Sequence, residues 1–142
     1  MSLALGACAA RPPSAPVSAA ACAALPPDPE LGALYGRPPI EVTPIHRYPA
    51  PESYDLEGAT IVIASGVHEE TLEHALACHA ARHDVAAIAT TPSVDPLRPS
   101  KGVARVRVER RGDSLVVIIT AETHEVAHEI FERARLLASS RV

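Results

Sequence analysis

The distribution of proline constrains this chain more than any other feature of its sequence. Eleven of its 14 prolines fall within the first 51 residues. Proline lacks the backbone N–H that helices and sheets need, so a segment this rich in proline favours extended, polyproline-like chain. The sequence therefore predicts three parts: residues 1–25 as a signal-like and Ala/Pro tail, residues 26–58 as a proline-rich linker, and residues 59–142 as one small domain.

Composition argues against nucleic acid as a partner. The chain has 142 residues, with 13 Lys and Arg against 17 Asp and Glu, and its net charge is −4. Binding to nucleic acid needs a basic surface, and base stacking needs aromatic side chains, whereas this chain has no Trp, one Phe and three Tyr. We therefore expect no nucleic-acid binding and a core built from Val, Ile, Leu and Ala.

A short motif near the N-terminus bears on localisation. Residues 5–8 read LGAC and precede the Pro/Ala/Ser tail. This motif resembles the lipobox of bacterial lipoproteins, in which the cysteine is acylated after cleavage. The resemblance covers roughly a dozen residues and implies lipidation of Cys8, a bacterial cell-envelope location (periplasmic, lipid-anchored or secreted), and membrane contact through the lipid anchor alone. The apolar run in residues 1–4 is shorter than a signal peptide requires, and an Ala/Pro tail that contains LGAC by chance is the alternative.

The other two cysteines form an even pair. If Cys8 is acylated, Cys22 and Cys78 are left to form a disulfide in an oxidising compartment. Such a disulfide would attach the proline-rich segment to the folded domain. The alternative is a free thiol at Cys22 and a small side chain packed on its helix at Cys78.

Hydrophobic periodicity predicts the fold of residues 59–142. The runs TIVIAS, VARVRVE and SLVVIIT read as strands, while HEETLEHALACHAARHD and HEVAHEIFERARLLAS have the spacing of amphipathic helices. This order predicts an α+β two-layer sandwich that resembles the ferredoxin-like fold, a βαββα unit with both helices on one sheet face. The usual last strand is missing, so either IEVTPI at residues 40–45 fills the sheet edge or a second subunit does.

The stretch HEVAH, residues 124–128, matches the His-Glu-x-x-His signature of zinc hydrolases. In that signature two histidines on one helix face hold zinc and the glutamate activates water. The zinc hydrolases have a third ligand downstream, whereas no histidine follows His128 before Val142. Helical spacing also turns both histidines toward solvent, because the apolar stripe of this helix lies elsewhere. A zinc hydrolase is therefore the least favoured function, and no catalytic residue is assigned.

The first predicted helix carries a denser set of metal-binding side chains. His79 and His83 are four residues apart, a spacing that suits one transition-metal ion, and His124 and His128 offer two further ligands. One helix cannot supply a closed four-ligand site, so binding of Zn, Cu or Ni requires these histidines to converge in space. The alternative is that they border the core and hydrogen bond to the backbone.

Four arginines lie close together around the predicted hairpin: Arg105, Arg107, Arg110 and Arg111. This basic strip is either a solvated sheet face or a surface that binds a partner. Because no catalytic constellation is evident, the sequence predicts a non-catalytic envelope binding or assembly module. Such a module would be an accessory subunit that binds a protein partner or a second copy of itself. A transition-metal-binding or carrier protein is the alternative.

Overall fold

The computed structural model describes residues 22, 34–36, 39–47, 55–81 and 95–139. These residues form a four-stranded sheet and two long helices. In chain order the elements are β1 (Glu41–His46), β2 (Leu56–Ala64), α1 (Glu69–Ala81), β3 (Arg105–Arg111), β4 (Ser114–Thr120) and α2 (His124–Ser139). The predicted α+β class is confirmed.

The four strands form one antiparallel sheet in the order β1-β2-β4-β3. β3 and β4 are joined by a two-residue turn, across which Arg111 pairs with Ser114. Gly112 opens this turn with a φ of 60°, a conformation that glycine adopts without strain and that tight hairpins require. β1 and β3 form the two edges of the sheet. β1 corresponds to the stretch IEVTPI, one of the two candidates that the sequence analysis names for the missing edge strand.

One face of the sheet carries the hydrophobic core. Alternate residues of each strand point toward this face, and both helices cover it, so their buried side chains join one cluster. The strands contribute Ala59, Ile61, Ile63, Val108, Leu115, Val117 and Ile119, and the helices contribute Leu72, Leu76, Val126, Ile130, Ala134 and Leu137. The buried side of α2 is the apolar stripe that its helical periodicity predicts.

The folded unit extends beyond the predicted boundary at residue 59. β2 begins at Leu56, and β1 adds a whole edge strand from the predicted linker. Cys22 and Leu34 are fully buried, and Leu34 belongs to the same core cluster as the sheet and helices. Cys22 and Leu34, two apolar positions of the proline-rich third that precede β1, therefore pack onto the domain.

Backbone pairing leaves Pro44 on the open side of β1. The N–H of Ala121 donates to the carbonyl of Glu57 at 3.0 Å, so the odd-numbered residues of β2 bond to β4 and the even-numbered ones to β1. Pro44 lies opposite Ala59 and thus turns its ring nitrogen away from β2. Its missing N–H costs no ladder hydrogen bond there, and its ring obstructs the addition of another strand.

A side chain from α1 protects the opposite edge. Val108 lies in the middle of β3, and its N–H points away from β4. The carboxylate of Glu73 accepts that N–H at 2.8 Å, and Glu73 itself is only 6% exposed. An edge amide that is already bonded to a buried side chain is not available to an incoming strand. Both edges of the sheet are therefore obstructed near their centres.

Candidate functional site

The last turn of α1 brings three distant parts of the chain together. Cys78 forms a disulfide with Cys22, 56 residues earlier in the sequence. The next residue, His79, places its Nε2 atom 2.6 Å from the carboxylate of Asp95. The hydroxyl of Tyr35 donates to the other oxygen of the same carboxylate at 2.5 Å. We call these five residues the clasp, because they join Cys22, Tyr35 and the turn at Asp95 to the end of α1.

Asp95 is the centre of the non-covalent part of the clasp. It opens a turn with the sequence Asp-Pro-Leu-Arg, in which the N–H of Arg98 donates to the Asp95 carbonyl at 3.1 Å. Its side chain also accepts the N–H of Leu97 at 3.0 Å, and the Nε atom of Arg98 lies 4.0 Å from it. Asp95 is 2% exposed, so its charge is stabilised by these neighbours in place of water.

Hydrogen bonding determines the charge state of the clasp. Burial alone raises the pKa of Asp95, but the hydrogen bonds from His79 and Tyr35 outweigh burial and hold that pKa below its ordinary value. Burial, followed by the negative charge of Asp95, raises the pKa of the Tyr35 hydroxyl well above its ordinary value. At neutral pH Asp95 is therefore an ionised acceptor and Tyr35 a neutral donor.

The geometry around His79 suits a positioning role. Its ring is 6% exposed and packs edge-on against Tyr35, with 5.7 Å between the ring centroids. A His–Asp pair becomes catalytic when the second ring nitrogen faces a nucleophile or a substrate. Within the described residues, no hydroxyl or thiol is hydrogen bonded to His79. The pair instead joins α1 to the turn that begins at Asp95.

The three predicted metal ligands that the structure describes do not meet. His79 is engaged with Asp95 in the interior, whereas His124 and His128 lie exposed on the first turns of α2. The prediction for His83 lies outside the described residues. No group of three or more His, Cys, Asp or Glu side chains that could hold a metal ion occurs in the part of the chain that the structure describes.

The HEVAH motif forms the start of α2. Thr123 caps the start of the helix, because its carbonyl accepts the N–H of Ala127 at 3.0 Å and its hydroxyl accepts the N–H of Val126 at 3.4 Å. Glu125 is exposed in the first turn, where a carboxylate interacts favourably with the positive end of the helix dipole. The rings of His124 and His128 are 6.3 Å apart between centroids, with no third ligand beside them in the described chain.

The predicted basic strip is divided between the two faces of the sheet. Register places Arg105, Arg107 and Arg111 on the outer face, the face that neither helix covers. Arg110 lies on the helix-bearing side, where it donates to Glu69 at 3.2 Å and to the backbone carbonyl of Val67 at 2.8 Å. Side chains alternate along a strand, so residues of opposite parity cannot share a face.

Two of the outer-face arginines have acidic partners within the chain. Arg105 pairs with Glu122 at the end of the sheet. Arg107 pairs with Glu109 on its own strand, with 2.6 Å between the charged atoms. These pairs are partly exposed and contribute little to stability. They reduce the positive potential that the sequence suggests for this strip.

Sequence reasoning missed two members of the clasp. Asp95 stands in a loop with three prolines, and Tyr35 stands in the proline-rich third, so neither belongs to a periodic pattern. The local signal at Asp95 is the Asp-Pro pair, which favours a turn whose side chain bonds to a backbone N–H two residues later. Glu73 lies outside the clasp, and its signal is its position among the buried residues of α1. A carboxylate in such a position needs a hydrogen-bond donor, because burial removes it from water.

Comparison with known proteins identifies no relative. No family model matches the chain, and neither the curated proteins nor the solved structures include a significant match. Among the described residues, no helix has the length and apolar character needed to cross a membrane.

Proposed function

We propose that this chain is a small, non-catalytic binding or assembly module of the bacterial cell envelope. The observation that carries the proposal is the disulfide between Cys22 and Cys78. Stable disulfides are common in periplasmic and secreted proteins and rare in the reducing cytosol. The LGAC sequence that ends at Cys8 agrees with this location, since acylation at that residue would tether the domain to a membrane.

The topology supports a ferredoxin-like arrangement for the domain. β2, α1 and β3 form a strand–helix–strand unit, and β4 lies between the two strands in the sheet. In the usual ferredoxin-like domain the remaining edge position belongs to a strand after the last helix. Here β1, which precedes β2 in the sequence, would take that position. The fold hosts many functions, so it gives no further information on the ligand.

The outer face of the sheet is the surface we propose for the partner. Addition of a partner strand is disfavoured at both edges, by Pro44 on β1 and by Glu73 on β3. Across the outer face, one row of paired residues contains three β-branched side chains and ends at an arginine: Thr43, Thr60, Ile118 and Arg107. Such a surface suits a protein partner that contributes apolar contacts at the centre and acidic groups at the β3 side.

Site-specific photo-crosslinking in a bacterial cell tests this assignment. A photoreactive residue replaces Thr60 on the outer face or, as the matched control, Thr71 on the solvent side of α1. We expect a discrete adduct in the envelope fraction at Thr60 alone, and we expect Arg107→Glu to weaken it. Equal crosslinking at both positions, or a cytosolic protein with reduced cysteines, would contradict the proposal.

A second candidate function, transition-metal binding, is favoured by one observation. His124 and His128 lie one helical turn apart and are both exposed, with their rings 6.3 Å apart. Two such histidines can chelate one Cu, Ni or Zn ion and leave other coordination positions open. The start of a helix disfavours a cation, which argues for weak binding.

Calorimetric titration of the purified, untagged protein with CuCl2, NiCl2 or ZnCl2 tests this candidate. We expect His128→Ala to remove any binding at the pair, because one histidine alone does not chelate. His74→Ala, a change at an exposed histidine on α1, is the matched control and should leave the titration unchanged. Binding that survives in His128→Ala, or its absence in the unchanged protein, would remove this candidate.

A further inference from the structure

The N-terminal segment is attached to the domain well before β1 begins. Its first described attachment is the disulfide at Cys22, and its second is formed by Leu34, buried in the core, and Tyr35, bonded to Asp95. These attachments determine how much chain remains between Cys8 and the folded domain. Cys22 follows Cys8 by 14 residues, Leu34 by 26 and Glu41 by 33.

The attachments change the reach of the tether by more than a factor of two. A chain of any conformation spans at most about 3.5 Å per residue. A tether that ends at Cys22 therefore reaches at most about 49 Å from Cys8, one that ends at Leu34 at most about 91 Å, and one that ends at β1 at most about 116 Å. The reach with attachment at Cys22 and the reach with attachment at Leu34 differ by more than the thickness of a small domain. The point of attachment therefore decides which surfaces the module can contact.

We propose that the Cys22–Cys78 disulfide sets the length of the N-terminal tether and thereby the distance between the anchored end and the partner-binding face. This inference deepens the proposed envelope function and rests on it, because tether length matters when residue 8 is held elsewhere. Formation of the bond is a thiol–disulfide exchange: the two thiols lose two electrons and two protons to the disulfide of an oxidoreductase, which leaves as a dithiol.

Burial makes the short tether a persistent state. Cys22 is 0% exposed and Cys78 is 1% exposed, so a thiolate cannot approach either sulfur until the segment opens. The Tyr35–Asp95–His79 hydrogen bonds hold the same segment 13 residues further along and resist that opening. Reduction of the native protein should therefore be slow, and reduction in urea should be fast.

Energy transfer between two amines of the chain measures tether length directly. The sequence contains a single lysine, the exposed Lys101, so dyes can be placed there and on the N-terminal amine, whose lower pKa allows separate labelling. The purified, unlipidated chain is compared as Cys8→Ser, Cys22→Ser and Cys22→Ser/Tyr35→Phe. Cys8→Ser is the matched control, since it makes the same chemical change without touching the disulfide.

The proposal predicts the order of dye separations. Cys8→Ser should leave the separation unchanged, Cys22→Ser should increase it by on the order of 10 Å or more, and the double variant should increase it further. Equal separations in Cys8→Ser and Cys22→Ser would overturn the proposal, as would three reactive thiols in the denatured, unreduced protein. Equal rates of reduction with and without urea would overturn the shielding argument. All measurements use purified protein, so they are independent of whether a partner binds the sheet.

Discussion

Replacement of Asp95 by alanine is the sharpest test of the clasp. The substitution leaves three buried donors without their acceptor: the hydroxyl of Tyr35, the ring N–H of His79 and the backbone N–H of Leu97. Each buried donor that loses its partner costs about 1–3 kcal/mol, and the loop relaxes to recover part of that loss. We therefore expect Asp95→Ala to reduce the free energy of unfolding by about 4 kcal/mol, a large fraction of the total for a small domain.

Urea unfolding at pH 7, followed by far-UV circular dichroism, measures this change. Asp113→Ala is the matched control, because Asp113 lies exposed in the β3–β4 turn and its replacement should cost about 0.5 kcal/mol or less. A difference between the two variants below about 1 kcal/mol would refute the view that Asp95 organises buried donors. It would indicate that water reaches the clasp and satisfies them.

Acid pH provides a second arm of the same test. The folded-state pKa of Asp95 lies below its ordinary value of 3.8, so its charged form contributes stability at neutral pH. That contribution is present above pH 3.8 and is lost as the pH falls through the lower folded-state pKa. Asp95→Ala has no such contribution, so the stability gap between the two proteins should narrow below about pH 4.

Three further changes have separable outcomes. Gly58→Ala should prevent folding or lower the free energy of unfolding, measured by thermal unfolding, by more than about 4 kcal/mol. The reason is that a Cβ at this position would lie 1.8 Å from a backbone oxygen of β4. Gly66→Ala is the control and should leave the free energy of unfolding nearly unchanged, because the space around Gly66 is open. Glu73→Ala should cost about 1–3 kcal/mol and produce concentration-dependent association in analytical ultracentrifugation, while Glu73→Gln, which keeps an acceptor oxygen, should remain monodisperse. Joint replacement of Cys22 and Cys78 by alanine should lower the free energy of unfolding by about 4 kcal/mol, from the closure entropy of their 56-residue separation, and an unchanged urea midpoint would contradict this.

Sequence reasoning predicted the elements of the domain because their periodicity is local. The alternation around Val106 and Val108 and the helical stripe through Val126 and Ile130 each specify which side is buried. Contacts between residues that are distant in sequence could not be predicted in this way, because nothing in the residues around His79 indicates that Asp95 lies beside it. A histidine on an apolar helix face fits both a metal site and a buried hydrogen bond to a carboxylate, and tertiary contacts decide between them.

The position of Cys78 next to His79 explains why the clasp serves attachment better than chemistry. Adjacent helical residues point about 100° apart, so one turn of α1 can grip two different segments, one through sulfur and one through a ring nitrogen. Both contacts are buried. A reactive site would need a free thiol or an exposed imidazole, whereas here the thiol of Cys78 is oxidised and the imidazole of His79 faces a carboxylate. The same burial protects the disulfide and the His79–Asp95 hydrogen bond from solvent. Cys78 and His79 of α1 therefore both hold other parts of the chain against this helix, Cys78 through Cys22 and His79 through Asp95.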